Sequence, residues 1–451
     1  MARKPIVRYV CSNCGATSSA WAGRCPACGE WNTMTEEVVV ASTTDATSPV
    51  LGRALRTSDV TGRLITPVVR ISTSIGDIDG VLGGGIVSGS VILIAGQPGI
   101  GKSTLLMQLA SSVAAASTVL YVSGEESAGQ VGMRAKRLKA AGSKLKLATS
   151  TSADDVAASV RGGDYSLVIV DSIQTMTCSG LNSASGTISQ ISGSTQLIMA
   201  AAKASNTAVI IVGHVTKEGM IAGPKVLEHI VDVVLQLEGD SYGGFKLLRS
   251  TKNRYGSTNE VAILEMTDNG LKPVSNPSAA LLAERQSSDG SIVLATMEGA
   301  RPLLVEVQAL VNPTNYGYPK RAASGIDLNR VNLLIAMLER RTKLNLANQD
   351  VYINIVGGIR VSEPAADLAI AMSIASAAKG YQLRENAVVF GEVGLSGEVR
   401  HVPYTDKRIN EAKKLGFDLA IGPVDRSAHP PALLDGVRDV RMALNKYLTK
   451  K

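Results

Sequence analysis

At 451 residues the chain is longer than a single hydrophobic core usually supports, so two to three domains are expected. Hydrophobic residues make up 45% and charged residues 19%, which excludes a disordered chain. No apolar run approaches the ~20 residues that a membrane span needs. The net charge of +7 permits nucleic-acid binding without requiring it. We therefore expect a globular cytoplasmic protein.

Four of the five cysteines lie in the first 28 residues, in two C-x2-C pairs that are each followed by glycine. Zinc prefers four thiolates in a tetrahedron, and each pair can supply two of them from one turn. The spacing predicts a zinc ribbon over residues 1–37, with a redox dithiol or free thiols as the alternatives. The predicted ligands are Cys11, Cys14, Cys25 and Cys28.

Residues 38–62 are rich in small polar residues and are predicted to be a linker, and residues 63–274 form the next domain. Within it, short β-branched runs alternate with helical segments, which is typical of a mainly parallel sheet between helices. The predicted strands span 90–96, 117–124, 165–171 and 207–214. Two further strands, 229–239 and 245–254, are predicted to be antiparallel additions.

A complete phosphate-loop motif, G-x4-G-K-[ST], follows the first of these strands and precedes an apolar helix. Backbone N–H groups of such a loop bind phosphates, and Lys102 is expected to reach the β and γ phosphates of ATP. Ser103 is expected to ligate Mg²⁺, and Thr104 to support the α-phosphate. The predicted nucleotide-binding residues are Gly96, Gln97, Pro98, Gly99, Ile100, Gly101, Lys102, Ser103 and Thr104.

Polar residues end three neighbouring strands. Asp171 can hold Mg²⁺ through water, although an aspartate at a strand end also serves as a helix cap. Glu125 and Glu126 can activate the attacking water, or they can cap the following helix. His214 can sense the γ-phosphate, or it can be structural. The four residues join the predicted ATP site.

Residues 275–451 form a second block with α/β character. Strand-like sequence spans 291–311, and helical periodicity marks 325–342 and 365–380. The phosphate loop is not repeated in this block.

The zinc ribbon, the phosphate loop and the pentad at residues 252–256 together resemble the bacterial RadA (Sms) family along essentially the whole chain. The family pentad reads Lys-Asn-Arg-Phe-Gly, so Tyr255 stands where the family has phenylalanine. The resemblance implies a RecA-type P-loop ATPase core. It also implies that Lys252 and Arg254 act as a finger on the ATP of a neighbouring subunit, whereas the residues alone fit a solvated surface pair equally well.

The same resemblance implies a DNA-dependent ATPase of the translocase or helicase type. The family forms a homo-hexameric ring on single-stranded DNA and promotes branch migration of recombination intermediates with the RecA recombinase. DNA repair, DNA damage and the stress response are the processes implied.

The C-terminal block resembles the proteolytic domain of Lon, in which a serine nucleophile is activated by a lysine. The matching stretch is 363–367, and Ala365, at the nucleophile position, has no hydroxyl. Lys407 falls where the family has its lysine. We expect an inactive protease fold used for assembly and DNA contact. Its candidate DNA-binding cations are Arg321, Arg330, Arg340, Arg341, Lys343, Arg400, Lys407 and Arg408.

Two other functions are compatible with these motifs. A nucleotide-switched regulatory ATPase is suggested by the sequence at 124–127, which is similar to another branch of the RecA superfamily. An ATP-dependent protease is suggested by the Lon-like block and opposed by Ala365.

Overall fold

The computed structural model describes residues 6–11, 16–39, 69–140, 142–214, 226–239, 245–314, 317–425 and 431–450. The chain divides into two compact units. The first comprises Met1–Glu238, Leu247–Thr258 and Met266–Lys272, and the second comprises Gly239–Lys246, Asn259–Glu265 and Pro273–Lys451. Of the predicted linker, positions 38 and 39 end a strand, and the remainder lies outside the described residues.

The ribbon is a small antiparallel sheet of strand order β2-β1-β3. Its strands are β1 (Ile6–Cys11), β2 (Thr17–Ser18) and β3 (Met34–Val39). Cys11 pairs with Met34 in the register of β1 and β3, and both are buried together with Cys25. The core of the ribbon is therefore built around thiols.

Residues 70–273 contain a larger sheet flanked by helices and a separate two-stranded sheet formed by the first two strands of this region. Its strands are β4 (Arg70–Ile71), β5 (Ile86–Val87), β6 (Val91–Gly96), β7 (Val119–Ser123), β8 (Leu145–Thr149), β9 (Leu167–Asp171), β10 (Ala208–His214), β11 (Val233–Gly239), β12 (Phe245–Asn253), β13 (Val261–Thr267) and β14 (Gly270–Pro273). Its helices are α1 (Gly76–Val81), α2 (Lys102–Ala114), α3 (Ala128–Arg137), α4 (Ala153–Gly162), α5 (Ile188–Ser205) and α6 (Val226–Ile230).

Nine of the described strands form one sheet of order β14-β13-β12-β11-β6-β10-β9-β7-β8. The neighbouring pairs from β8 through β11 are all parallel, which confirms the predicted mainly parallel sheet. Strands β6, β7 and β9 are buried along their whole length, as expected for strands covered on both faces. Their carboxyl ends gather Gly96, Ser123 and Asp171 at one edge.

The antiparallel prediction for residues 229–239 is wrong. The N-terminal part of that stretch belongs to helix α6, and β11 pairs with β6 in parallel. Parallel neighbours require a crossover connection, and α6 lies in the crossover that returns the chain to the same end of the sheet. The apolar run masked this change from helix to strand.

The second unit contains another sheet with helices packed on it, and its strand order is β17-β18-β16-β15-β20-β23-β24. Its strands are β15 (Ser291–Glu298), β16 (Arg301–Pro313), β17 (Arg321–Ser324), β18 (Gln349–Ile355), β19 (Tyr381–Leu383), β20 (Ala387–Val389), β21 (Glu392–Val393), β22 (Val399–Arg400), β23 (Leu419–Pro423), β24 (Leu434–Val437) and β25 (Leu448–Lys450). Its helices are α7 (Pro277–Leu282), α8 (Leu328–Thr342), α9 (Asp367–Lys379), α10 (Thr405–Lys414) and α11 (Val440–Tyr447).

Helix α9 is the core of this unit. Every residue from Asp367 to Ser376 is buried, and a helix that is buried all round is one that neighbours enclose. The stretch matched to the Lon nucleophile turn leads directly into this helix.

No described helix has both the length and the apolar character that crossing a bilayer requires.

Candidate ATP and metal sites

The phosphate loop runs from the end of β6 at Gly96 to the start of α2 at Lys102. Gly99 (φ 77°) and Gly101 (φ 112°) adopt left-handed backbone conformations that favour glycine. Among the described residues, no atom lies within 4 Å of where a Cβ of Gly99 would stand, so one side of the loop is open. The N–H groups of the first turn of α2 point out of this helix end, which makes it an anion-binding site.

Lys102 is buried, and its Nζ donates to the carbonyl oxygens of Gly96 (2.8 Å) and Gln97 (3.0 Å). Burial lowers the pKa of Lys102, while the negative charges of Asp171 and Glu125 act in the opposite direction. A phosphate bound at the loop would add a further counter-charge. The residues therefore fit a nucleotide, which would recruit the lysine from its carbonyl partners.

Asp171 is the last residue of β9 and is buried. Its Oδ2 accepts a hydrogen bond of 2.5 Å from the Tyr121 hydroxyl of the adjacent strand β7. The short helix after it is preceded by Ser172, so Asp171 is not a helix cap. A buried carboxylate beside the phosphate loop is suited to hold Mg²⁺ through water.

The two glutamates after β7 face different partners. Glu125 accepts a hydrogen bond from the Ser172 hydroxyl, whereas Glu126 forms a salt bridge with Arg134. Ser127 caps helix α3 through a capping box, so neither glutamate is needed as its cap. Of the two, Glu125 is the one whose charge acts on Lys102.

His214 is the last residue of β10, and it lies at the register position of Gly96. The described geometry thus places its backbone beside the start of the phosphate loop, and its side chain lies outside what the structure describes.

Lys252 of the pentad lies against the end of helix α6. Its Nζ donates to the carbonyl oxygens of Glu228 (2.6 Å), His229 (3.3 Å) and Val231 (2.7 Å). A cation at the C-terminal end of a helix stabilises its last carbonyls. Burial lowers the pKa of Lys252, and the charge of Arg254 lowers it further.

Arg254 is more exposed, with 56% of its side chain accessible, and its Nη1 lies 3.3 Å from Asp232 Oδ1. Asp232 is 1% exposed and its Oδ2 also accepts from Lys203 Nζ (2.6 Å) and from the N–H of Val91 (3.0 Å). Arg254 is thus an exposed cation tethered to a buried carboxylate at the start of the phosphate-loop strand.

The rest of the pentad is held by backbone contacts. Arg70 donates to the carbonyl of Tyr255 at 2.9 Å, and a Cβ on Gly256 would lie 2.8 Å from Cα of Gly83. The Tyr255 hydroxyl accepts from Lys203 at 3.5 Å, a contact that phenylalanine could not make. This clarifies what the tyrosine adds at the position where the family has phenylalanine.

The ribbon brings together the thiols of Cys11, Cys25 and Cys28 within 4.8 Å of one another. The Sγ atoms of Cys11 and Cys28 are 3.7 Å apart, and zinc–sulfur bonds of ~2.3 Å in a tetrahedron give edges of about 3.8 Å. Cys14 lies outside the described residues. The three described thiols therefore fit a zinc ion.

The stretch matched to the Lon active site is occupied by a buried ion pair. Ala365 is buried, and Glu363 of the same turn binds the guanidinium of Arg408, which is 0% exposed. Arg408 also donates to the carbonyls of Ala295 and Pro403. Lys407 instead donates to the carbonyl of Ala300 at 3.2 Å. Ala365, at the position matched to the nucleophile, offers no hydroxyl.

Three of the candidate DNA-binding cations of this unit are buried or half-buried, and internal contacts hold them. Arg408 is fully buried and paired with Glu363, and Arg330 is paired with buried Asp367. Arg321 donates to the carbonyls of Leu346 and Gln349. Arg340, Arg341, Lys343 and Arg400 are exposed.

Sequence reasoning missed Tyr121, Ser172 and Asp232. Tyr121 lies within the predicted apolar strand 117–124. The available signal is its hydroxyl, because a neighbouring predicted strand ends in Asp171. Asp232 was hidden inside a run that was interpreted as one strand.

Three family models match the chain: an AAA domain over residues 58–220, a rubredoxin metal binding domain over residues 9–36, and subunit ChlI of Mg-chelatase over residues 327–426. The DNA repair protein RadA of Bacillus subtilis (strain 168) is 46% identical over 450 residues, which cover 98% of each chain. The DNA repair protein RadA of Pseudomonas aeruginosa is 46% identical over 418 residues, or 92% of each chain.

The chain belongs to the RadA family. The RadA resemblance and the predicted fold class are thereby confirmed: an α/β ATPase core with a mainly parallel sheet, an N-terminal zinc ribbon and a C-terminal Lon-like domain that contains the ChlI match. A solved structure titled as the RadB recombinase overlaps 46% of this chain and all of its own, with a TM-score of 0.38 and 22% identity.

Proposed function

We propose that this RadA-family protein is a DNA-dependent ATPase motor that acts in the cytoplasm in homologous recombination and DNA repair. It binds single-stranded DNA as a homo-hexameric ring and promotes branch migration of recombination intermediates together with the RecA recombinase. The observation that carries the proposal is the pairing of a complete phosphate-loop site with Arg254, an exposed cation tethered to buried Asp232.

Within the site, each residue has a distinct task. With nucleotide bound, the loop N–H groups and Lys102 would hold the phosphates, and Ser103 and Asp171 would hold the magnesium ion with its water. Bound Mg²⁺ neutralises charge that develops on the phosphates during transfer. Glu125 orients and deprotonates the attacking water, because it faces Lys102 and Ser172, whereas Glu126 is committed to Arg134.

Arg254 is the finger of the neighbouring subunit's site. Its guanidinium is exposed, and Asp232 limits its freedom, so little entropy is lost when it binds a phosphate. Lys252 supports the finger by fixing α6, and it becomes a second donor when those carbonyl contacts break. This division ties hydrolysis to the geometry of the ring.

The deciding experiment is the ATP hydrolysis rate with and without single-stranded DNA, for the natural protein, Lys252→Ala and Arg254→Ala. We expect strong DNA stimulation, a loss of about 10³-fold or more for Arg254→Ala, and a smaller loss for Lys252→Ala. Arg249→Ala, on the same strand β12 and in a half-buried salt bridge with Glu238, is the control and should turn over normally.

No DNA stimulation in the natural protein would favour a nucleotide-switched regulatory ATPase instead. If DNA is bound through its phosphates, its affinity falls as salt rises, and a flat salt response would exclude backbone contacts. Branch migration itself is tested by measuring whether the protein lengthens the strand-exchange products that form in the presence of RecA.

A further inference from the structure

The proposed function leaves one buried polar group beside the ATP site without a task. Tyr121 is 1% exposed and lies on strand β7, next to the strand that carries Asp171. Its hydroxyl donates to Asp171 Oδ2 at 2.5 Å. A buried strand with no need for polarity would carry phenylalanine here, so the hydroxyl calls for an explanation.

The register explains how the contact forms. In the parallel pair of β7 and β9, Tyr121 is opposite Ile169 and Ser123 is opposite Asp171. Residues two apart on a strand share a face, and they are separated by about 6.6 Å along it. A tyrosine ring spans that distance, so its hydroxyl reaches the carboxylate that ends the neighbouring strand.

The chemistry of the contact fixes its direction. A phenol O–H is a donor and an ionised carboxylate oxygen only accepts, so Tyr121 donates to Asp171 Oδ2. Tyr121 occupies Oδ2, which directs the other carboxylate oxygen, Oδ1, to serve a water or an ion. Tyr121 also lines a cavity together with Met107 and Val131, whose apolar side chains require no hydroxyl from it.

We propose that Tyr121 is the positioning residue for the magnesium-binding carboxylate: its hydroxyl holds Asp171 in the rotamer that receives the Mg²⁺ of a bound nucleotide. The inference rests on the proposed function, because it concerns the same ATP site. Partners that orient a metal-binding carboxylate contribute about 10- to 100-fold to metal affinity.

The test is Tyr121→Phe in the full chain, which keeps the ring and removes only the hydroxyl. The dissociation constant of a fluorescent ADP analogue is measured in excess Mg²⁺ and in EDTA. We expect the EDTA value to stay unchanged and the tightening produced by Mg²⁺ to shrink about 10-fold or more. The Mg²⁺ concentration for half-maximal ATP hydrolysis should rise in parallel.

Tyr165→Phe is the matched control, because Tyr165 lies in the same domain and packs against its core. It should retain the full effect of Mg²⁺. An unchanged effect of Mg²⁺ in Tyr121→Phe would overturn the inference while leaving the ATP site intact. A natural protein whose nucleotide affinity ignores Mg²⁺ would overturn the proposed function as well, so the two failures are distinct.

A second measurement tests the inference even if Tyr121→Phe fails to fold. Incorporation of 3-fluorotyrosine at position 121 keeps the hydroxyl and gives a fluorine resonance next to Asp171. That resonance should shift when Mg²⁺ is added to the ADP complex and not when ADP is added in EDTA. An identical spectrum in both conditions would count against the role of Tyr121.

Discussion

The two units each hold a buried cation close to carboxylate charge, yet they use it in opposite ways. Lys102 is held by two backbone carbonyls, with Asp171 and Glu125 nearby and open space beside Gly99. Arg408 is held by both oxygens of Glu363 as well as by carbonyls. The first cation has room for a ligand, whereas the second has its charge and its donors satisfied by the protein.

The difference shows how a cation in a ligand-binding site differs from a cation that only stabilises the fold. A catalytic cation keeps weak partners that a substrate can replace, so its burial remains a cost until the ligand arrives. A structural cation in the same type of position is neutralised by a carboxylate and further hydrogen bonds. At Ala365, where the Lon family has its serine, the neighbouring space holds the pair of Arg408 and Glu363.

Of the changes that test this comparison, Lys102→Ala should have the largest effect. Removing the amine takes away its contact with the phosphates, and ATP turnover should fall about 10³-fold, or ~4 kcal/mol. A coupled-enzyme assay checks this, with circular dichroism as the test of folding. Normal turnover in a folded variant would show that the loop is not the ATP site.

Glu363→Ala is the matching change at the second cation. It leaves Arg408 buried without its counter-charge, which should cost about 3 kcal/mol of unfolding free energy. Urea unfolding followed by circular dichroism measures it, in the transition that Mg²⁺ and ADP do not shift. Turnover per folded molecule should be unaffected, and an unchanged midpoint would mean that the pair does not stabilise this unit.

A smaller effect separates the two glutamates. Glu125→Gln should lower the rate constant for hydrolysis about 10²-fold, or ~2.7 kcal/mol, because the amide cannot accept a proton. Glu126→Gln, which breaks only the pair with Arg134, serves as the comparison and should retain most activity. The reverse ranking would assign the base to Glu126.

Lys407→Ala should have the smallest effect. The amine is exposed and donates to a single carbonyl, so stability should change by about 0.5 kcal/mol or less. No peptidase activity is expected before or after the change. Cleavage by the natural protein at saturating ATP that disappears in Lys407→Ala would revive the protease hypothesis.

The sequence predicted most of the ATPase core because its signals are local. The strand before Gly96, the helix after Lys102 and the cysteine pairs are each specified within a few residues. The split of 229–239 into α6 and β11 could not be predicted, because an apolar run has the same composition in both states. Contacts such as Tyr121 with Asp171, or Arg254 with Asp232, depend on register between distant strands, which no local pattern specifies.

Both tryptophans of the chain lie in the zinc ribbon, where Trp21 and Trp31 are 62% and 68% exposed. A Cβ added to Gly23 would lie 3.7 Å from the Trp21 ring and 3.8 Å from the Trp31 ring, so the emission of both depends on the shape of the ribbon. The tryptophan fluorescence of this protein is consequently an optical probe of one module. It is expected to change when a chelator removes a metal ion from the thiols.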